Sequence, residues 1–395
     1  MVESSIVQNK IFGLLKDLGQ IKPEEILHRY NTQTLGNKCI SLDLSDLHLQ
    51  ILPPSLTNFR HLRKLYLKYN QIDHTPPYLS TLTSLRTLNL RNNLVTSLPS
   101  SFNKLTQLRK LDLRENKFVK IPDVIFELKN LREFKISNNP IKNLDPKLGL
   151  LTKLRSIYAR NTGLSDFPGF YFPLSNLHTL DLGGNNLSSL PDTLENCQHV
   201  RFFNLQKCQL YEIPNSIVQL KKLERLDLRS NQIRELNDHL FSISSLKRID
   251  FISNNLAELP DKFERLDQLE IFRIGDNQLE YLPPSISSLK KLTHLELHHN
   301  RIEKFPEVIC KLLNLKELIL HTNKLEHLPD SIGNLISLRF LDISNNPFEM
   351  LPENIKHLPN LRGLWISNSM NQYARNHVLL TALRKRNCIV SIKSV

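Results

Sequence analysis

Three histidines and a glutamate offer the sharpest chemistry in this chain: His294-x-Glu296-x-His298, with His321 placed 23 residues beyond His298. Imidazole and carboxylate are ligands for zinc-type ions. In an extended segment, residues two apart share a face at about 6–7 Å, which is wide for neighbours on one tetrahedral ion. Clustered imidazoles titrate near neutrality and suit a proton-sensitive binding patch better. No metal site is therefore assigned, and a metal-dependent protein using His294, His298 and His321 stands only as an alternative. Asp227 and Asp250 have the residue type for a general acid and base, but Arg225, Arg229, Arg248 and Arg273 accompany them, and a charge lattice is the simpler account. The chain has no GxxxxGK[ST] loop, HExxH helix or GxSxG elbow, and its 11 glycines leave little material for a phosphate cradle. Neither catalysis nor a cofactor is expected.

The element that must position these residues is a repeat. Apolar residues recur every 23 positions from Cys39 through Leu62, Leu85 and onward to Leu361, without insertion or deletion. Each opens the same phrase, seen at its clearest as Leu62-x-x-Leu65-x-Leu67-x-x-Asn70-x-Ile72. Alternation at Leu65 and Leu67 reads as a short strand pointing both inward. Stacked coils then pair each strand with the next, about 4.8 Å away, in a parallel sheet. The second half of each coil, as in Leu98-Pro99-x-x-Phe102-x-x-Leu105, spaces its apolar residues by three, which suits 3₁₀ or irregular helical turns. The ninth position is Asn in most coils, from Asn70 to Asn346, with Thr162, Cys208 and Ser369 as weaker substitutes and Leu47 unable to substitute at all. There the backbone turns inward, and an amide side chain can pair the groups it leaves inside. Proline opens the helical turn in nearly every coil, with Asp145 and Asn237 as the exceptions.

A stack of coils leaves an open apolar face at each end. Ile6, Ile11, Leu14, Leu15 and Leu18 form a helical pattern, so residues 1–38 are assigned to a helical N-terminal cap. Residues 39–370 make about 15 coils. Residues 371–395 form a C-terminal cap of a helix, through Val378, Leu379 and Leu383, and a strand, Ile389 to Ile392.

The phrase together with Leu328-Pro329-Asp330-Ser331-Ile332-Gly333-Asn334-Leu335 resembles the Leu-Pro class of leucine-rich repeats, carried by Ras-suppressor-like scaffolds and by bacterial proteins built of repeats alone. That resemblance implies an α/β solenoid: a leucine-rich-repeat horseshoe with a parallel β-sheet on its concave face and short 3₁₀ or helical turns on its convex face. It also implies a non-catalytic scaffold or adaptor binding a protein on that sheet. The Cys-rich caps of extracellular members are missing.

Outward strand positions are the third, fifth and seventh of each phrase, with the eighth at the rim. In the early coils they carry Lys64, Tyr66, Lys68, Arg91, Lys110, Arg114, Lys135, Tyr158 and Arg160, and later Arg229. Cations interleaved with aromatics suit an acidic or phosphorylated partner; cross-strand pairing with Asp112, Glu133 and Asp227 is the competing account. Further on, Ile252, Ile271, Ile319, Phe340 and Trp365 occupy outward positions beside His294, His298 and His321, and apolar groups on an exposed sheet are informative.

The balance of 52 Lys and Arg against 39 Asp and Glu gives a net charge of +13, which admits a polyanion as a second class of partner. Five scattered cysteines without a CxxC pair are no disulfide framework. With neither a signal-peptide core nor a membrane span in view, a cytoplasmic monomer is expected, with non-classical export left open. On that second route the chain would be an exported bacterial protein that binds a host surface protein or an acidic polysaccharide. Nucleic acid is disfavoured, because no groove-reading helix or stacking motif is evident.

Overall fold

The computed structural model describes residues 33–35, 38–169 and 174–393, together with Gly13, Leu14 and Asp17. The chain divides into two compact units, residues 1–186 and 187–395. Both are built from the expected coil.

In the first unit, β1 (Gln33–Leu35) is followed by β2 (Lys38–Asp43) and then by three-residue strands, one per coil. These are β3 to β8: Lys64–Tyr66, Thr87–Asn89, Lys110–Asp112, Glu133–Lys135, Ser156–Tyr158 and Thr179–Asp181. From β2 onward they pair in parallel with matching phrase positions opposite each other, such as Lys64↔Thr87 and Leu65↔Leu88. Most of the helical cap assigned to residues 1–38 lies outside the described residues. Gly13, Leu14 and Asp17 are helical and Leu14 is fully buried. The end of that segment departs from expectation: β1 is a strand, antiparallel to β2. A first strand would otherwise leave a row of unpaired backbone groups at the sheet edge, and β1 pairs them.

The second unit repeats the pattern in β9 to β15: Phe202–Asn204, Arg225–Asp227, Arg248–Asp250, Ile271–Arg273, His294–Glu296, Glu317–Ile319 and Phe340–Asp342. It ends with β16 (Gly363–Ser367), helix α1 (Ala374–Lys385) and β17 (Ile389–Lys393), which pairs in parallel with β16. Past Ser369, the last ninth-position residue, Asn376 on α1 pairs other backbone groups at the end of the stack. It accepts from the Leu351 N–H at 3.0 Å and donates to the carbonyls of Glu349 and Met370 at 2.9 and 2.7 Å.

Two local devices hold each coil. In the first, a ninth-position Asn joins two coils. Asn116 Oδ1 accepts from the Val95 N–H (3.0 Å), and its Nδ2 donates to the carbonyls of Leu90 (2.8 Å) and Leu113 (3.1 Å). Where Thr162 stands instead, its side chain is too short to reach back, and the Ile141 N–H turns to the Asn139 carbonyl. In the second, proline sits in extended conformation just before a 3₁₀ turn, as Pro99 does before Ser100–Lys104. Its two replacements are both capping residues: Asp145 accepts from the Lys147 N–H at 2.8 Å, and Asn237 from the Leu240 N–H at 3.3 Å.

All five cysteines are buried as free thiols, and burial pushes Cys197 up to about 12. Among the described residues no helix is long and apolar enough to cross a membrane. Because Asn116 pairs otherwise orphaned groups in two coils, Asn116→Ala is expected to cost about 3 kcal/mol, measured by urea denaturation. A loss within about 0.5 kcal/mol would mean that the amide column is not what joins the coils.

Candidate functional site

The third, fifth and seventh positions do face outward from the sheet, in files fixed by the strand register. In the first unit the seventh-position residues Lys68, Arg91, Arg114, Ser137 and Arg160 follow one another, since each eighth-position N–H bonds the seventh-position carbonyl of the next coil, Tyr69 to Arg91 and Asn92 to Arg114, both at 2.9 Å.

The cations of that face are largely spoken for. Arg91 Nη2 is 2.7 Å from Glu115, and Arg114 grips Asp112 with Nη2 at 2.6 Å and Nε at 2.9 Å. Glu133 holds both Lys110 (3.0 Å) and Lys135 (2.6 Å), and Arg160 lies 3.5 Å from Asp181. Lys135 also sits over the Tyr158 ring, whereas Tyr66 is half-buried. Lys64 is exposed and makes no ion pair among the described residues, and Lys68 lies 5.7 Å from the ring centre of Tyr69. The expected basic column is therefore mostly a cross-strand lattice. Tyr69, at the eighth position, takes both Lys68 and Arg91 on its ring.

In the second unit the lattice closes around Asp250, whose side chain is 1% exposed. Arg229, Arg248 and Arg273 converge on it at 3.5, 3.3 and 3.7 Å from three successive coils. Arg229 is also doubly bonded to Asp227, and Arg273 lies 2.7 Å from Glu296. Burial pushes the Asp250 carboxyl up while Arg229 pulls it down. Asp227 and Asp250 have a structural task as well, accepting the backbone N–H two residues on, at 3.2 and 3.4 Å. An acid–base pair is not what these residues form.

The histidines separate into two groups. His294 turns to Thr293 and Glu317, at 2.7 and 3.4 Å. His298, His299 and His321 come together, with ring centres 4.9–5.7 Å apart and His298 stacked on His321 at an interplanar angle of 23°. Among the described residues no group of three His, Cys, Asp or Glu is arranged to hold a metal ion. The alternative set of His294, His298 and His321 fails because His294 is drawn to its own carboxylate. His298 lies flat over Gly275, where a Cβ would stand 2.2–2.6 Å from three of its ring atoms, and its Nδ1 is buried without a hydrogen-bond partner. Burial first, then neighbouring His321 and His299, push its pKa down to about 4.

The apolar positions gather toward the C-terminal end of the sheet. Phe340, Gly363 and Ile389 are opposite one another on β15, β16 and β17, with Phe340 and Ile389 exposed by 37% and 69%. The Trp365 ring folds over Gly363, where a Cβ would meet it at 2.7 Å, and stands 6.1 Å from the Phe340 ring. Ile252, Ile271 and Ile319 are half-buried on the same face. Ile389 and the glycines beneath the two rings were missed from the sequence; glycine at a third or seventh position is the signal that would have found the seats.

Comparison with known proteins agrees with this architecture. Family descriptions match over residues 42–165 (Leucine-rich repeat region), 176–197 (Leucine Rich Repeat), and 221–279 with 290–348 (Leucine rich repeat). A leucine-rich-repeat protein of Leptospira interrogans is 28% identical, with a TM-score of 0.77 covering 89% of this chain and 84% of that one. A TDR receptor is 27% identical (TM-score 0.64; 84% and 64% covered). The plant peptide hormone receptor RGFR1, solved in complex with RGF2, shares the fold at 23% identity (TM-score 0.64; 90% and 67% covered). No curated protein matches the chain.

The buried imidazole sets a pH dependence. His298 has a folded pKa of about 4 against an ordinary 6.5, so the fold favours the neutral ring. Its contribution is intact above about pH 6.5, is lost as pH falls toward about 4, and changes no further below that. Thermal midpoints of wild type and His298→Phe, compared across this window, are expected to diverge, with the variant losing less. Superimposable profiles would remove His298 from the account.

Proposed function

Since this chain belongs to the leucine-rich-repeat family, we propose that it is a non-catalytic scaffold whose second unit, residues 187–395, holds a protein partner on its exposed sheet face. Proteins of this family are in general interaction scaffolds. The neighbour RGFR1 is a peptide hormone receptor solved with RGF2.

One observation carries the choice of surface: the shelf of Phe340, Trp365 and Ile389. Alternation along a strand reserves those positions for side chains that meet water, yet they hold two aromatic rings and an isoleucine. Large apolar groups of this kind form the cores of interfaces, and tryptophan is over-represented among residues that dominate binding. The first unit supports the role less well. Most of its sheet-face cations already neutralise carboxylates, and separating a formed pair costs what a new one returns. On the same unit, His298, His299 and His321 form a polar cluster, whereas Arg229, Arg248 and Arg273 are already held by Asp227, Asp250 and Glu296.

The test is capture of partners from lysate with the purified chain, followed by calorimetric titration of the captured partner. Phe340→Ala with Trp365→Ala is expected to weaken binding by about 2 kcal/mol or more, roughly thirtyfold. Gln at Arg91, Arg114 and Arg160 is expected to leave it within about twofold. The reverse pattern would move the site to the first unit and end this reading.

A further inference from the structure

The second position of each phrase, just before the strand, carries a pattern that the outward face does not explain. In the first unit it is arginine in five consecutive coils: Arg63, Arg86, Arg109, Arg132 and Arg155. Backbone pairing puts them in file, each N–H on the carbonyl of the arginine before it at 2.7–2.9 Å. Successive coils are about 4.8 Å apart, so the file runs about 19 Å. All five side chains are exposed or half-exposed, and none makes a hydrogen bond or ion pair among the described residues.

The same position in the second unit provides an internal control. There Arg201, Glu224 and Lys247 follow one another, and Glu224 bonds both cations at 3.2 and 3.0 Å. Coil geometry thus permits this position to neutralise itself, and in the first unit it does not. The adjoining third-position row offers no relief, because its one acid, Glu133, is already shared by Lys110 and Lys135. Like charges directly opposite on neighbouring strands repel, and five in file without a counter-charge make a local positive field that attracts an anion.

We propose that this arginine file binds a linear acidic polysaccharide, its guanidinium groups pairing with successive sulfate or carboxylate groups along the polymer. Guanidinium suits both oxyanions, since it donates two parallel N–H bonds to either. The flanking side chains select the class. Ser84, Thr87, Gln107 and Ser156 border the file with hydroxyls and an amide that match sugar hydroxyls, Lys64, Lys110 and Lys153 add cations beside it, and Asn130 is bonded to Thr106 and Lys153. No Phe, Tyr, Trp or aliphatic residue stands among them to anchor a protein or to stack a nucleobase. This surface is separate from the apolar shelf, and the proposal does not depend on what the shelf binds.

The full chain is tested on heparin, a sulfated linear polysaccharide, by surface plasmon resonance over a range of salt. Three proteins are compared: wild type, R86Q/R109Q/R132Q, and a control of equal charge loss, K290Q/K304Q/K311Q, at exposed lysines of the second unit. The file variant is expected to bind at least about tenfold more weakly, with a shallower dependence on salt by about two to three charges, while the control binds as wild type. R109Q alone, expected to lose about threefold, keeps the comparison readable should the triple variant not fold. The proposal is overturned if wild type does not bind heparin, if file and control variants lose affinity equally, or if a single-stranded oligonucleotide binds more tightly at the same salt.

Discussion

The inward turn of the backbone at the ninth position of every coil is the constraint on which this protein rests. A chain that bends into its own interior each 23 residues carries N–H and C=O groups away from water, and such groups must be paired. In most coils one asparagine does this for two coils at once, as Asn116 shows with its oxygen accepting from one coil and its Nδ2 donating to carbonyls of both. The eighth residue is then held in the left-handed region, even where it is Tyr69, Glu115, His299 or Thr322 at φ of 51–57°. That conformation costs a side-chain-bearing residue on the order of 1 kcal/mol, and the amide bonds beside it offset the cost. Because the joint repeats without slippage, every outward side chain within a unit has a fixed neighbour 23 residues away. The sheet face is in effect an array, and function depends on what is written in its rows.

Those rows differ in one physical respect: whether they neutralise themselves. The fifth, seventh and eighth positions largely do. Asp112 with Arg114, Glu115 with Arg91, and Asp250 among three arginines put carboxylate and guanidinium within hydrogen-bond reach. An aspartate at the fifth position first satisfies the N–H two residues on, and the cation follows to it. The more exposed of these pairs contribute little to stability, but all of them remove charge that a ligand could use. A surface rich in lysine and arginine can therefore be poor in available charge, and composition alone does not distinguish the two.

The repeat, the strands, the 3₁₀ turns and the terminal helix with its strand were legible in the sequence because each follows from periodicity and from residues that act locally. Pairing was less so. That Arg91 would choose Glu115, and His294 would choose Glu317 over His298, depends on rotamers across two coils, which spacing does not specify. The strand β1 was read as part of a helical cap, because nothing local in Gln33–Leu35 announces that its task is to cover the edge of β2. The arginine file escaped notice for a different reason. Strict alternation assigns the second position to the inward face, whereas the chain has not yet entered the strand there and the side chain remains in water.

Two glycines show how the array acquires shape. A sheet face of ordinary side chains is a brush, and a ring standing in it is flanked on all sides. Gly275 and Gly363 each remove one bristle, and the ring of a neighbour lies down in the space, His298 on the first and Trp365 on the second. The consequences diverge with chemistry. Laid flat, an imidazole loses water from a nitrogen that finds no partner, so its neutral form is held and its proton affinity drops. An indole laid flat loses nothing polar of comparable strength and presents a broad apolar surface beside Phe340. The same backbone device therefore yields a proton-sensitive spot in one place and an adhesive one in the other, and the residue that lies down decides which.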